Sequence, residues 1–159
     1  MNKIFLATLL AISLAVSVVF ASMPLRISML KVVMQSDHVL TAVVTGVDMI
    51  DENGDQITDL KARTGPGLKN KIRLISEVQK VHRTNSNNAP SEIRVPLDSA
   101  MHYSLGHIKD AHQGRSLPRI FILKGDEFEP SFDGIFSYPT HELETIMALY
   151  KIKDMEKDK

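Results

Sequence analysis

Three histidines are the residues of this chain best suited to metal chemistry: His102, His107 and His112. Each lies five residues from the next, a spacing that separates side chains around a helix and alternates them across a strand. Paired zinc-binding histidines usually have a closer spacing, and neither a cysteine nor a His-Glu pair accompanies them here. In a loop they could converge on a metal ion. The sequence therefore predicts either a metal site or solvated loop histidines.

Motifs for other catalytic chemistry are missing from the sequence. It has no Gly-rich phosphate loop, no G-x-S-x-G, no His-Glu-x-x-His and no thiol nucleophile. Ser104 and His107 are close in sequence, but no acidic residue that would orient the base is implied. A small metal-dependent or hydrolytic enzyme that uses residues 98–117 is the alternative function. The residues favour a protein that is not an enzyme and has no cofactor.

Basic residues concentrate between positions 61 and 83, where Glu77 is the only acidic residue. Such a stretch is either the solvated outer face of a strand or a surface that meets an acidic partner or a phosphate. The residues that we predict to bind a partner are Lys69, Lys71, Arg73, Lys80 and Arg83.

The first 21 residues have the three parts of a signal peptide, in order. Lys3 is a short positive region, residues 4–18 are apolar, and residues 19–21 form a small-x-small cleavage signal before Ser22. The apolar run is close to the lower length limit of a membrane span, so an uncleaved anchor is the alternative. We predict a periplasmic or secreted protein with no membrane span after the leader is removed.

The composition narrows the class of partner. The chain has 19 basic and 19 acidic residues, a balance that argues against bulk binding of nucleic acid. It contains no cysteine, so no disulfide can stabilise the exported protein and packing alone must do so. The expected partner is a protein in the cell envelope or outside the cell.

The strand around which the others are arranged is His38–Ile50, HVLTAVVTGVDMI. Its β-branched residues favour an extended backbone, and Gly46 indicates a bulge or a tight bend. Alternation places Leu40, Ala42 and Val44 on one face and Val39, Val43 and Val47 on the other.

Further strands and two helices complete the predicted domain. Asn53-Gly54 predicts a type I′ turn that leads into a returning strand. Alternation or a buried apolar run predicts strands over residues 56–62, 71–81, 92–97 and 119–124. Helical spacing of Ile27, Leu30 and Met34 predicts a short helix within residues 22–35. A C-terminal helix starting at Pro139 and Thr140 carries the apolar stripe Leu143, Ile146, Met147 and Tyr150.

These elements predict a mainly β fold with flanking helices. Five such strands suit a small OB-like Greek-key barrel or a curled antiparallel sheet, followed by an amphipathic C-terminal helix. The segments SDHVLTAVVTGVD, KIRLISEVQKV, SEIRVPL and LPRIFILKGDEFEP, within residues 36–130, resemble small exported OB-fold domains of the netrin-module and metalloproteinase-inhibitor type. Those inhibitors bind the protease's zinc through an N-terminal cysteine. This chain has no cysteine, so that activity carries over to none of its residues.

The sequence as a whole predicts a signal peptide over residues 1–21, a single domain over residues 22–153 and a charged tail over residues 154–159. We expect an exported, non-enzymatic binding module that acts on another protein through a barrel face or its loops. A structural component of the envelope is a further possibility.

Overall fold

The protein is built on a six-stranded antiparallel sheet with helices on both faces. The computed structural model describes residues 27–87, 90–114 and 117–157, so the predicted leader lies outside the described residues. In chain order the elements are α1 (Met29–Met34), β1 (His38–Ile50), β2 (Lys71–Arg83), β3 (Glu92–Pro96), α2 (Leu105–His112), β4 (Arg119–Lys124), β5 (Glu129–Pro130), β6 (Ser137–Tyr138), a 3₁₀ turn (Thr140–Glu142) and α3 (Leu143–Lys157).

The strands lie in the order β3-β2-β1-β4-β5, and β6 also pairs with β4. The long connection through α2 brings β4 back beside β1, which is a Greek-key arrangement. The sheet is open, so the predicted mainly β fold is confirmed in its antiparallel-sheet form and not as a closed barrel.

Apolar side chains are buried on both faces of the sheet. Helix α2 covers one face, and helices α1 and α3 cover the other. In β4, Phe121 and Leu123 pack on the α2 side while Ile120 and Ile122 pack on the side of α1 and α3. The prediction that Arg119–Lys124 is a strand buried on both faces is confirmed.

A bulge interrupts β1 where Gly46 indicated one. Val44 pairs with Ser76 and Gly46 pairs with Ile75, which leaves Thr45 as the extra residue. The bulge shifts the alternation, so Val47 packs in the same apolar cluster as Leu40 and Ala42. Its predicted place on the opposite face is wrong, because simple alternation cannot continue through an inserted residue.

The turn after β1 differs from the predicted hairpin. A type I′ turn needs positive φ at both central residues, and of Asn53 and Gly54 only Gly54 has it, at +87°. The carboxylate of Asp51 closes the turn by accepting the backbone N–H groups of Asn53 and Asp55. The hydrogen bond from Asp55 is the main reason why the pKa of Asp51 is lowered.

The predicted returning strand over residues 56–62 is wrong. One bridge joins Ile50 to Gln56, and the segment then leaves the sheet. Its later carbonyls accept from the start of α2: Leu60 O from Gly106 N at 2.9 Å and Ala62 O from Leu105 N at 3.0 Å. The carbonyls of Leu60 and Ala62 are therefore satisfied by a helix instead of by a neighbouring strand.

Both predicted helices are present, with one correction. In α1 the residues buried against the sheet are Val32 and Val33, while Leu30 and Met34 are exposed, so the predicted apolar face is wrong. Five of the six residues of MLKVVM are apolar, so their spacing does not select one face.

The apolar stripe of α3 packs against the sheet as predicted. The helix continues to Lys157, past residue 153, after which the sequence predicted a charged tail. No helix among the described residues is long and apolar enough to cross a membrane.

Candidate functional site

The predicted basic residues do not form one patch. Lys71 and Arg73 lie at the start of β2 and Lys69 just before it, whereas Lys80 and Arg83 lie at its end. At about 3.3 Å per residue, the ends of this strand are roughly 40 Å apart. A single small acidic surface could not contact all five side chains.

Arg73 is held by a buried carboxylate. Its Nε and Nη2 donate to Asp48 Oδ1 and Oδ2 at 2.8 and 2.7 Å, and Arg94 Nη1 donates to the same Oδ2 at 2.8 Å. The Asp48 side chain is 7% exposed, so these guanidinium groups neutralise a charge that water barely reaches. Arg73 is thus part of the packing of β1, β2 and β3.

Two further basic residues have acidic partners from distant parts of the chain. Arg83 donates to both carboxylate oxygens of Asp154 on α3 at 2.7 and 2.8 Å, and Lys69 donates to Glu52. Lys71 and Lys80 are exposed. Exposed charges are more available to a partner than paired ones. The prediction that basic residues bind a partner therefore rests mainly on these two lysines.

Next to Lys80, His82 accepts or donates a hydrogen bond with the Thr41 hydroxyl, with 2.8 Å between Nε2 and Oγ1. Burial, followed by the positive charge of Lys80, lowers the pKa of His82. The unfolded chain therefore takes up this proton at a higher pH than the folded protein does.

We expect His82 to make the fold less stable on acidification. As the pH falls through about 6.5, the unfolded state gains the proton first, so stability decreases towards the lowered pKa of His82. Melting temperatures measured across this range should fall less for His82→Gln than for the wild type. Parallel pH profiles for the two proteins would exclude this contribution.

The three histidines are separated in the structure. His102 lies against Gly65, where a β-carbon would stand 2.6 Å from its Nδ1, whereas His107 is exposed on α2 and His112 ends that helix. No three His, Cys, Asp or Glu side chains among the described residues are placed to hold a metal ion. The Ser104 hydroxyl caps α2 by accepting the N–H of His107 at 3.3 Å.

A groove of about 700 Å³ lies between β1 and α2. Gly106 brings the helix close to one wall, because a β-carbon there would stand only 3.1 Å from the carbonyl oxygen of Leu60. Val44 and Val47 supply apolar side chains from the sheet. The groove is lined by Val44, Thr45, Gly46, Val47, Leu60, Gly106, Lys109, Asp110, His112, Gln113 and Gly114, and we call it the β1–α2 groove.

Along this groove, part of the edge of β1 that faces away from β2 has no pairing partner among residues 27–87, 90–114 and 117–157. Strand β4 pairs with it from His38 to Ala42, and Ile57 N donates to Met49 O at 2.8 Å further along. Between these contacts no described residue pairs with residues 43–48 on that side. We call this stretch the free edge of β1.

The pairing of β4 with β1 ends next to Pro118. In the register of the pairing, Ala42 faces Arg119, so Val43 would face Pro118. Proline is usually found at strand ends and edges, which fits the start of β4 at Arg119. The sequence contained two signals, Gly46 within a strand and Pro118 before one, but neither predicts that a groove forms beside the bulge.

Comparisons with known proteins give no functional assignment. The chain matches no protein-family model, and no curated protein or solved structure is significantly similar to it. The resemblance to OB-fold domains of the netrin-module and metalloproteinase-inhibitor type therefore stays a prediction. The function has to be inferred from the β1–α2 groove and the free edge of β1.

Proposed function

We propose that this protein is an exported, non-enzymatic module that binds another protein in the cell envelope or outside the cell. The observation that supports it best is the β1–α2 groove, which combines apolar side chains with a polar rim. Protein and peptide interfaces commonly have this composition. Export is proposed from the signal-peptide pattern of residues 1–21.

The groove is a better binding surface than the predicted basic residues. Arg73, Arg83 and Lys69 are already engaged by carboxylates of the same chain, so a partner would have to compete with those ion pairs. Leu60 is 55% exposed at the wall of the groove, an apolar surface that a partner would cover. Lys71 and Lys80 could add charge contacts outside the groove.

Substitution of Leu60 by aspartate tests this proposal. The full chain with a C-terminal tag would be used to capture proteins from an envelope extract, beside Leu60→Asp. A carboxylate in an apolar contact must be desolvated, so we expect the partner's affinity to fall about tenfold or more. The quantity compared is the amount of each captured protein at equal bait concentration.

Leu68→Asp is the matched control, because Leu68 is 50% exposed and does not line the groove. A partner retained by Leu68→Asp and lost by Leu60→Asp would support the proposal. Equal capture by all three proteins would move binding away from the groove, and Lys71→Glu/Lys80→Glu would then test the basic residues. Thermal unfolding must show that each variant is folded.

A further inference from the structure

Among the described residues, the free edge of β1 is a gap between two pairings, that of β4 with His38–Ala42 and that of Ile57 with Met49. From this gap we infer that the β1–α2 groove binds its partner as an extended segment, which adds as a strand to residues 43–48. The inference rests on the proposed binding function and specifies the form of the ligand. Strand addition uses backbone hydrogen bonds for affinity and pockets for alternate side chains for selectivity.

Hydrogen bonds at the two ends show which backbone groups of β1 point into the gap. Met49 O accepts from Ile57 N on the free side, so alternation directs the N–H and C=O of Val47 to the same side. Those of Asp48 and Gly46 point instead towards β2.

At the other end of the gap, next to Ala42, the hydrogen bonds also show which way the backbone groups point. Val78 N donates to Ser91 O, away from β1, so the pair Ala42–Val78 is not hydrogen-bonded. Ala42 therefore directs its backbone groups away from β2, and so does Val44, two residues on. Val44 and Val47 thus present donors and acceptors that an extended backbone can satisfy.

The dimensions and surroundings of the gap fit one strand. Residues 43–48 would occupy about 17–20 Å, the length of a segment of about five or six residues. Such a strand continues the pairing made by β4 at one end and by Ile57 at the other, so the contact is continuous with an established ladder. Every second side chain would face the groove.

The groove favours apolar side chains at those positions. They would contact Val44, Val47 and Leu60, while the side chains between them would point to the other face of the sheet. Lys109 and Asp110 are neighbours of opposite charge on α2, so the rim has no net preference for an acidic or a basic segment. We therefore assign the ligand as an extended segment with apolar residues two apart.

The probe is a phage-displayed library of linear peptides of roughly ten residues, which exceeds the length of the gap. It is selected on the tagged full chain and counter-selected on Leu60→Asp. Amide hydrogen exchange is then measured by NMR with and without a selected peptide. We expect the Val44 and Val47 amides to slow about tenfold or more on binding, while those of Gly46 and Asp48 change little. Peptides that are N-methylated at one residue at a time should bind more weakly when the methyl group is at every second residue, and should bind normally when it is at the residues between.

The outcomes separate the inference from the proposed function. A selected peptide that depends on Leu60 but shows neither the slowing nor the alternation would overturn strand addition and leave groove binding intact. Failure to select any Leu60-dependent peptide would count against both. Slow amide exchange of Val44 and Val47 in the free monomer would show that the chain itself fills the gap. If their exchange slowed when the protein dimerised, the gap would be filled by a second copy of the chain. Either result overturns the inference.

Discussion

Replacement of Tyr150 by alanine is expected to lower the free energy of unfolding by about 3–5 kcal/mol. Tyr150 is 1% exposed and is among the largest fully buried side chains of the protein. It packs with Ile120, Ile122 and Ile146, so its loss would leave a cavity between α3 and the sheet. Urea unfolding of the wild type and of Tyr150→Ala, followed by circular dichroism, measures the difference.

Two cations add to this packing. The Arg83 guanidinium lies 4.7 Å and the Lys153 ammonium 5.3 Å from the centre of the Tyr150 ring. Each such contact contributes about 0.5–2 kcal/mol, depending on how far the cation is desolvated. Burial raises the pKa of Tyr150 to about 12, so its hydroxyl is uncharged in ordinary buffers.

Tyr150→Phe is the control, since it keeps the ring and both cation contacts. Its cost should be less than about 1 kcal/mol, because the buried hydroxyl has no hydrogen-bond partner among the described residues and its removal therefore breaks no hydrogen bond. If Tyr150→Ala cost as little as Tyr150→Phe, α3 would not be held to the sheet by this side chain. That result would contradict the packing of Tyr150 against Ile120, Ile122 and Ile146.

The strands predicted most accurately are those whose own residues determine their burial. Arg119–Lys124 is a continuous apolar run between Pro118 and Gly125, and His38–Ile50 is rich in β-branched residues. Both were predicted to the residue. Short-range signals sufficed here because a proline or a polar turn ends each run.

The elements that were missed depend on partners distant in sequence. Strands β5 and β6 have two residues each and exist because β4 offers them hydrogen bonds. Residues 56–62 were predicted as a strand, but α2 takes up their carbonyls. No periodicity in so short a segment could reveal which partner it pairs with.

The candidate site was only partly visible in the sequence for a similar reason. In the sequence, Glu77 is the only acidic residue between positions 61 and 83. In the fold, Arg73 forms an ion pair with Asp48 and Arg83 forms one with Asp154. Those partners are 25 and 71 residues away. The free edge of β1 depends equally on where β4 stops, which is a property of the assembled sheet.

Substitution of Asp48 by alanine should be the most destabilising change among the charged residues near the site. Removal of one partner from a buried ion pair costs about 3–5 kcal/mol, because the other charge is left uncompensated. Arg73 and Arg94 are 22% and 49% exposed and can be partly hydrated, so we expect about 2–4 kcal/mol. Urea unfolding of Asp48→Ala against the wild type measures this loss.

Glu92→Ala is the matched control, since it removes an exposed carboxylate 3.2 Å from the same Arg94. It should cost no more than about 1 kcal/mol, as is usual for surface ion pairs. Equal losses for Asp48→Ala and Glu92→Ala would show that burial of Asp48 adds nothing. If the expected difference is found, Arg73→Glu would unfold the protein instead of testing a binding surface, because it would place two carboxylates together. The predicted basic contacts should then be tested at Lys71 and Lys80, whose exposed side chains can be reversed in charge without disturbing Asp48.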